Sequence, residues 1–293
     1  MQHSFDNPNP IHSPIDQPNN RSPNKSRNPS FKERSGNIAY KIWQSLLPWL
    51  VPIVTIVIWQ VLSQRGVISA KILPAPLEVL QVGIKLTQSG ELVKHLAISG
   101  TRALVGFGIG GGIGFLLGLI NGSFAIAETL LDTSMQMLRN IPHLALIPLV
   151  ILWFGIGEEA KIFLVIIGVM FPIYLNTYHG IRTVDAGLIE MGRVYGLKTW
   201  QIFWKIVLPS ALPSILIGVR FALGIMWLTL IVAETIASDS GIGYLAMNAR
   251  EFLQTDVVVF AILLYALLGK LADVAARFLE SILLQWHPSY ASA

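Results

Sequence analysis

The sequence contains no cysteine and few charged residues. Without cysteine the chain has no disulfides, no thiolate metal sites and no cysteine nucleophile. Charged residues make up 13% of the 293, whereas a soluble domain carries about 25%. Hydrophobic residues make up 53%, and the mean hydropathy is +0.59. Because a soluble protein of this composition could not cover its surface with polar groups, the composition predicts an integral membrane protein.

Catalytic and nucleotide-binding motifs are also missing. There is no G-x-x-x-x-G-K-[ST], so we expect no ATP hydrolysis by this chain itself. There is no HExxH, no nucleophile elbow and no cluster of metal ligands, so we predict a non-catalytic chain with no metal and no cofactor of its own. The segment from Gly106 to Gly111 formally matches the dinucleotide fingerprint. It lies inside one long apolar run, not between a strand and a helix, which argues against nucleotide binding there.

Residues 1–40 form a polar segment rich in Asn, Pro and Ser, and residues 41–293 form the membrane domain. The polar segment lacks the apolar side chains needed to offset its ordering entropy, so we predict a disordered tail. Its basic residues are able to contact anionic lipid headgroups. Since no aromatic residues interleave with them, nucleic-acid binding is not expected.

Six apolar runs follow, each close to the roughly 20 residues that a membrane-spanning helix needs. They predict an all-α bundle of six spans. The third and fourth are joined by a short turn and are expected to form a helical hairpin. The predicted spans are 46–62, 101–122, 134–153, 161–178, 212–233 and 257–279.

Lysine and arginine in the loops favour both termini in the cytoplasm. With that orientation, the inner segments carry ten Lys or Arg and the outer segments carry five. Positive charge concentrates on the cytoplasmic side of membrane proteins. The outer segment at 74–88 begins with Pro76 and repeats Leu77, Leu80 and Ile84 at helical spacing. This pattern predicts an amphipathic helix, for which packing cover of the bundle is the simpler role.

A stripe of glycines marks the second span. Gly106, Gly110, Gly114, Gly118 and Gly122 recur every four residues and therefore lie near one face of a helix. Small residues on one face allow another helix to approach closely within a bilayer. The stripe predicts a helix-packing surface.

The loop at about 187–209, between the fourth and fifth spans, carries the functional argument. Apolar spacing predicts two short helices, with a sharp turn or close backbone approach at Gly196 and a helix boundary at Pro209. Resting on the membrane surface would explain such a helix pair equally well. The spacing is nevertheless specific, and the positions that carry it are Glu190, Gly192, Gly196, Leu197, Ile206, Leu208 and Pro209.

These positions resemble the EAA loop of binding-protein-dependent ABC importer permeases. Met191 and Gly192 stand where that family usually has alanines. The resemblance implies the six-helix transmembrane fold of a type I ABC importer. It also implies that the loop enters a cleft on a separate ATPase subunit, with Glu190 at the contact and Gly196 permitting the bend.

Two further stretches, 131–149 and 220–252, are similar to permeases of aliphatic-sulfonate importers. Relatives in the same family serve taurine, nitrate, cyanate or bicarbonate, and thiamine precursors. The resemblance implies two ATPase subunits that hold ATP and Mg²⁺, a periplasmic or lipid-anchored binding protein that docks on the outer segments, and a second copy of this chain. It implies the bacterial plasma membrane as the location.

Several polar residues within or beside the spans are candidates for the translocation path. A charge at the centre of a lone membrane helix costs about 2.5–3.5 kcal/mol on insertion scales, so such residues usually face a bundle interior or water. Snorkelling to the interface or pairing with an acid would explain the arginines equally well, and Lys270 and Asp273 are spaced to pair on one helix face. Pro142 and Pro148 are expected to interrupt the third helix, which a bundle tolerates where other groups satisfy the backbone. The candidates are Arg139, Asn140, His143, Arg220 and Glu234.

The sequence argues against two other function classes, a secondary transporter and a membrane-embedded enzyme. A secondary transporter needs intramembrane acids for ion coupling, and the first four predicted spans have few. A membrane-embedded enzyme needs a catalytic cluster, and the sequence offers none. His143 and His179 are isolated, which favours a structural role over metal binding.

Overall fold

All regular structure in the described residues is helical, which confirms the predicted all-α class. A computed structural model describes residues 31–236 and 238–286, and within them no strand occurs. The chain divides into two compact units, residues 1–55 and 56–293. The helices are α1 (Phe31–Gln64), α2 (Pro76–Gln88), α3 (Glu91–Ser123), α4 (Ala125–Arg139), α5 (Ile147–Phe154), α6 (Glu158–Arg182), α7 (Ala186–Val194), α8 (Thr199–Ile202), α9 (Leu208–Ile236), α10 (Ile242–Glu251) and α11 (Thr255–Leu283).

The predicted number of six spans is not confirmed. Four described helical stretches are long and apolar enough to cross a membrane: α3, α6, α11 and the continuous run Thr199–Ile236 that contains α9. A fifth span arises if the bent pair of α4 and α5 crosses as one unit. The apolar part of α1, Trp49–Gln64, is shorter than the roughly 20 residues that a span needs.

The third predicted span, 134–153, is interrupted where its two prolines predict an interruption. The chain bends by 79° between α4 and the stretch His143–Phe154, which opens with a 3₁₀ turn at His143–Leu146. Pro142 and Pro148 flank this turn. Proline lacks the N–H that continues a helix and restricts the residue before it, so two prolines in seven positions break the run.

The predicted tail, residues 1–40, falls mainly outside the described residues. Residues 1–30 are not described, and α1 begins at Phe31, inside the predicted tail. A helix boundary was also predicted at Pro209, but Pro209 does not interrupt the helix there. A π-helical segment, Phe203–Val207, leads directly into α9, and the helical run continues through Pro209.

The core is built from three helices, α3, α6 and α9. α6 packs against both α3 and α9, and α3 and α9 also contact each other. The central side chains are apolar and fully or almost fully buried: Ala103, Val165, Val169, Ile173, Ala222, Met226 and Leu230. α5 covers the first turns of α6, so the predicted hairpin of the third and fourth spans is present in shortened form.

The glycine stripe of α3 lies against the backbone of α6. A Cβ added at Gly110 would lie 2.5 Å from the carbonyl oxygen of Ile166, and one at Gly118 would lie 2.6 Å from that of Tyr174. At Gly106 an added Cβ would instead meet the side chain of Val165, 2.5 Å from its Cγ1. The two helices therefore approach to a distance that only glycine permits, with no side chain between their backbones.

The short helix α2 packs on the last two helices. Glu78 accepts a hydrogen bond from the Ala75 N–H (3.0 Å), and Pro76 occupies the first helical position. Val79 and Gly83 are buried, and a Cβ at Gly83 would meet the ring of Phe260 in α11. The predicted apolar face of Leu77, Leu80 and Ile84 is exposed instead, so it is available to lipid or to another chain.

The contact between α3 and α6 predicts opposite outcomes for two neighbouring glycines. Gly110→Ala is expected to destabilise the protein by about 1–3 kcal/mol, because overpacking forces the helices apart. Gly108→Ala, whose Cβ would meet nothing within 4 Å, is the matched control. It should be neutral or stabilising by up to about 1 kcal/mol, from helix propensity alone. Denaturant unfolding in mixed micelles measures both, and equal effects would contradict the described packing.

Candidate functional site

A buried ion pair joins two of the core helices. Arg102 of α3 is 2% exposed and Glu234 of α9 is 1% exposed, and the Arg102 Nη1 donates to the Glu234 Oε1 at 2.7 Å. Desolvating both charges is costly, so such a pair persists only where further hydrogen bonds satisfy the remaining atoms. The surroundings of both side chains supply those bonds.

The Glu234 carboxylate accepts hydrogen bonds from three groups besides Arg102. Ser99 Oγ donates to it at 2.8 Å and 2.9 Å, and the Tyr265 hydroxyl donates at 3.0 Å. The backbone N–H of Gly243, in the first turn of α10, donates at 2.9 Å. Because first-turn N–H groups have no partner within their own helix, Glu234 caps α10 while holding α3 and α11.

All five N–H donors of the Arg102 guanidinium are used. Its Nε and Nη2 each donate to Glu158 at 2.5 Å, at the start of α6. Ser240 accepts twice, through its carbonyl oxygen (2.7 Å) and its Oγ (2.9 Å). Lys161 of α6 donates to Glu158 at 3.0 Å. We call Ser99, Arg102, Glu158, Lys161, Glu234 and Tyr265 the polar cluster.

The link between α9 and α10 is fixed by the same cluster. Gly241 has φ +105°, a conformation that favours glycine, and an added Cβ would collide with the Glu234 carboxylate. Its N–H donates to the His95 Nδ1 at 3.0 Å, and the Ile242 N–H donates to the Ser99 Oγ at 2.9 Å. The polar segment around Ser240 is therefore held by side chains of α3.

The translocation-path candidates from the sequence fall at separate places. Arg139 and Asn140 end α4 and are exposed. His143 lies in the 3₁₀ turn, half-buried, with its Nε2 2.9 Å from the Thr229 Oγ1 of α9. Arg220 lies apart from all of these and pairs with Asp273 of α11 at 2.7 Å, and Glu234 belongs to the polar cluster.

Sequence reasoning identified only one member of the polar cluster, Glu234. Arg102 was missed because it stands at the edge of the predicted second span. A lone arginine beside a glycine-rich apolar run was the available signal, since a charge in such a run requires a partner. Ser99 has no comparable local signal, because its partners lie far away in sequence. Glu158 has Lys161 nearby, but its partner Arg102 is 56 residues away.

The loop at 187–209 has its own internal packing. Two short helices were predicted, and α7 and α8 occupy these positions. An added Cβ at Gly192 would lie 2.7 Å from the Ile206 Cδ1 and 3.6 Å from the Leu197 Cδ1, so these three residues meet between the helices. Leu208 and Pro209 open α9 beyond the π-helical segment.

Gly196 forms the turn between α7 and α8. Its φ is +75°. The Leu197 N–H donates to the Gly192 carbonyl (3.0 Å) and the Gly196 N–H to the Arg193 carbonyl (2.9 Å), which together form a Schellman motif. The outer side of α7 presents large apolar side chains to solvent, with Val194 86% and Tyr195 79% exposed, and Glu190 is exposed on the same helix.

Within residues 31–236 and 238–286, no three His, Asp or Glu side chains lie close enough to hold a metal ion. The chemistry that the described residues offer is binding and coupling: a saturated buried ion network at one end of the core helices, and an exposed apolar helix on the loop between α6 and α9.

The sequence of this chain is similar to those of known proteins. A family model described as "Binding-protein-dependent transport system inner membrane component" matches residues 110–283. A protein of Escherichia coli K12, provisionally named an aliphatic sulfonates transport permease protein, is 64% identical over 83% of this chain and 92% of its own length. A Bacillus subtilis 168 protein with the same name is 46% identical over 91% of this chain and 95% of its own.

The solved structure "Crystal structure of an amino acid ABC transporter with histidines" resembles this chain in fold. The TM-score is 0.51 at 16% identity, and the alignment covers 66% of this chain and 97% of the other. At that identity the likeness supports the fold alone.

Removing one donor to Glu234 tests the energetic weight of the polar cluster. Tyr265→Phe is expected to lower the free energy of unfolding by about 1.5–3 kcal/mol, the cost of a lost hydrogen bond to a charged group. Tyr195→Phe, the same change on a 79% exposed side chain, should stay within about 0.5 kcal/mol of the parent. Equal free energies of unfolding for the two variants would show that the hydrogen bond from Tyr265 to Glu234 does not stabilise the protein.

Proposed function

The chain belongs to the inner membrane components of binding-protein-dependent transport systems, and from that membership we propose that it is the permease subunit of an ATP-driven importer for aliphatic sulfonates. The high identity to two proteins named for aliphatic sulfonate transport, over most of their lengths, supports this substrate class. The chain itself is non-catalytic in this proposal. ATP and Mg²⁺ are held by a separate ATPase.

The loop at 187–209 is the proposed ATPase contact. Its exposed Val194 and Tyr195 supply an apolar surface, and Glu190 supplies a charge beside it. The Schellman motif at Gly196 and the contact of Gly192 with Ile206 hold α7 at a fixed angle to α9. A rigid connection of this kind is able to transmit movement of an ATPase subunit into a membrane helix.

The proposed assembly has two copies of this chain, two ATPase subunits and a substrate-binding protein. The excess of Lys and Arg in the tail and in the loop at 180–208 supports an orientation with both termini in the cytoplasm. In that orientation, α2 and α10 face outward and are placed to receive the binding protein. ATP binding would then expose the path outward, and hydrolysis would reset it.

We place the anion path at the bend between α4 and α5. Arg139 and Asn140 are exposed there and supply donors suited to a sulfonate. His143 and Thr229 lie beside them, joined by a hydrogen bond. Arg220 and Glu234, also candidates from the sequence, are bound by Asp273 and by the polar cluster and are not assigned to the path contact.

Uptake in cells tests the substrate. Deleting the chain is expected to abolish ATP-dependent uptake of labelled ethanesulfonate, and restoring it should return that uptake without returning nitrate or taurine uptake. Return of taurine or nitrate alone would contradict the sulfonate assignment and keep the importer. Uptake that follows an ion gradient and ignores ATP depletion would contradict the importer.

Co-purification tests the ATPase contact. Gly196→Val forces a β-branched residue to φ +75°, at a cost of about 1–3 kcal/mol, and is expected to displace α7 and release the ATPase. Gly90→Val is the matched control, because Gly90 has φ +79° in an equally open turn but lies between α2 and α3. The ATPase should co-purify with the Gly90 variant. Retention of the ATPase by both variants would contradict the proposed contact.

A further inference from the structure

Four charged side chains of the polar cluster contact one another: Arg102, Glu158, Lys161 and Glu234. Glu158 is the only one of these four that is exposed. Its side chain is 51% exposed, whereas those of Arg102 and Lys161 are 2% and 3% exposed. It binds the Arg102 Nε and Nη2 at 2.5 Å each and the Lys161 Nζ at 3.0 Å. The two cations therefore lie inside the protein, and the carboxylate reaches them from the surface.

Arg102 is held in place without Glu158. Its Nη1 donates to Glu234 and to the Ser240 carbonyl, and its Nη2 donates to the Ser240 Oγ. The side-chain hydrogen bonds of Glu158 within the described chain are those to the two cations. The cationic groups thus form a preorganised site, and the carboxylate is the part that is free to leave.

The balance of buried charge limits when the Glu158 carboxylate is able to move away from Arg102 and Lys161. With Glu158 in place, two cations face two carboxylates, and its departure alone would leave one buried positive charge in excess. An uncompensated buried charge is strongly destabilising. Glu158 is therefore expected to leave only when another anion enters.

The geometry also selects the kind of anion. The Nε and Nη2 of Arg102 present a planar fork, which fits two oxygens of a carboxylate, phosphate or sulfonate. Lys161, one turn along α6, offers a point charge to one of those oxygens or to a third. Glu158 is the first residue of α6, next to a turn in which Gly155 has φ +72°, so a rotation of its side chain disturbs no helix interior.

We propose that Arg102 and Lys161 form an oxyanion-binding site that Glu158 fills in this conformation, and that a sulfonate head group takes its place. The choice of sulfonate rests on the proposed function, whereas the oxyanion site does not. The exposed neighbour Glu159 opposes a free anion electrostatically, so the exchange is weak and reversible. In this arrangement Glu158 acts as an internal competitor that excludes neutral solutes and releases the site to anions.

Anion rescue tests the site. Purified Glu158→Ala protein should unfold at a lower temperature than the parent in chloride. Ethanesulfonate at about five times its dissociation constant, at constant ionic strength, should raise that midpoint by about 2–4 °C. The parent should respond less, because Glu158 competes. Adding Lys161→Met to Glu158→Ala should remove the response.

Glu159→Ala is the matched control, since it removes an adjacent exposed carboxylate that has no described contact with Arg102 or Lys161. A response of Glu158→Ala no larger than that of Glu159→Ala would overturn the site. If the alanine variant does not fold, Glu158→Gln keeps the shape, removes the charge and gives the same comparison. Equal responses to acetate and ethanesulfonate, without sulfonate uptake in cells, would keep the oxyanion site and overturn the sulfonate ligand.

Discussion

The buried pair of Arg102 and Glu234 is the interaction on which the arrangement of the helices depends. Two charges inside an apolar bundle are tolerated only when nearly every donor and acceptor is satisfied. That requirement gathers Ser99, Tyr265 and the first turn of α10 around one carboxylate, and Glu158 and Ser240 around one guanidinium. Five helices, α3, α6, α9, α10 and α11, are thereby fixed at a single point.

Close helix packing extends from the Arg102–Glu234 pair along the core. The glycines of α3 bring its backbone against α6, and α9 packs against both of these helices. Because α9 continues from the π-helical segment and α8 without a break, the loop at 187–209 is joined directly to the helix that carries Glu234. One continuous helical stretch therefore connects the proposed ATPase contact to the polar cluster.

Local patterns in the sequence were sufficient to predict much of this fold. Apolar length predicted the four long spans, glycine spacing marked the α3 face that lies against α6, and the positive φ of Gly196 agrees with the predicted turn. Pro142 and Pro148 predicted an interruption of the third span, and the chain bends there by 79°. The size of the bend was not predicted, because its two arms together have the length and apolarity of one span. The cluster around Glu234 was missed because its partners, such as Arg102, are more than 100 residues away and leave no periodic signal.

A double-mutant cycle on Arg102 and Glu234 tests most directly whether this pair holds the bundle. The variants are Arg102→Met, Glu234→Leu and both together, compared by denaturant unfolding in mixed micelles. Arg102→Met leaves the Glu234 carboxylate without a cationic partner, and Glu234→Leu leaves Arg102 and Lys161 facing Glu158 alone, with one buried positive charge in excess. Each single change should therefore cost about 3–5 kcal/mol, whereas the double change should cost clearly less than the sum. Costs that add within about 0.5 kcal/mol would show that the two side chains act independently and would contradict the central role of the pair.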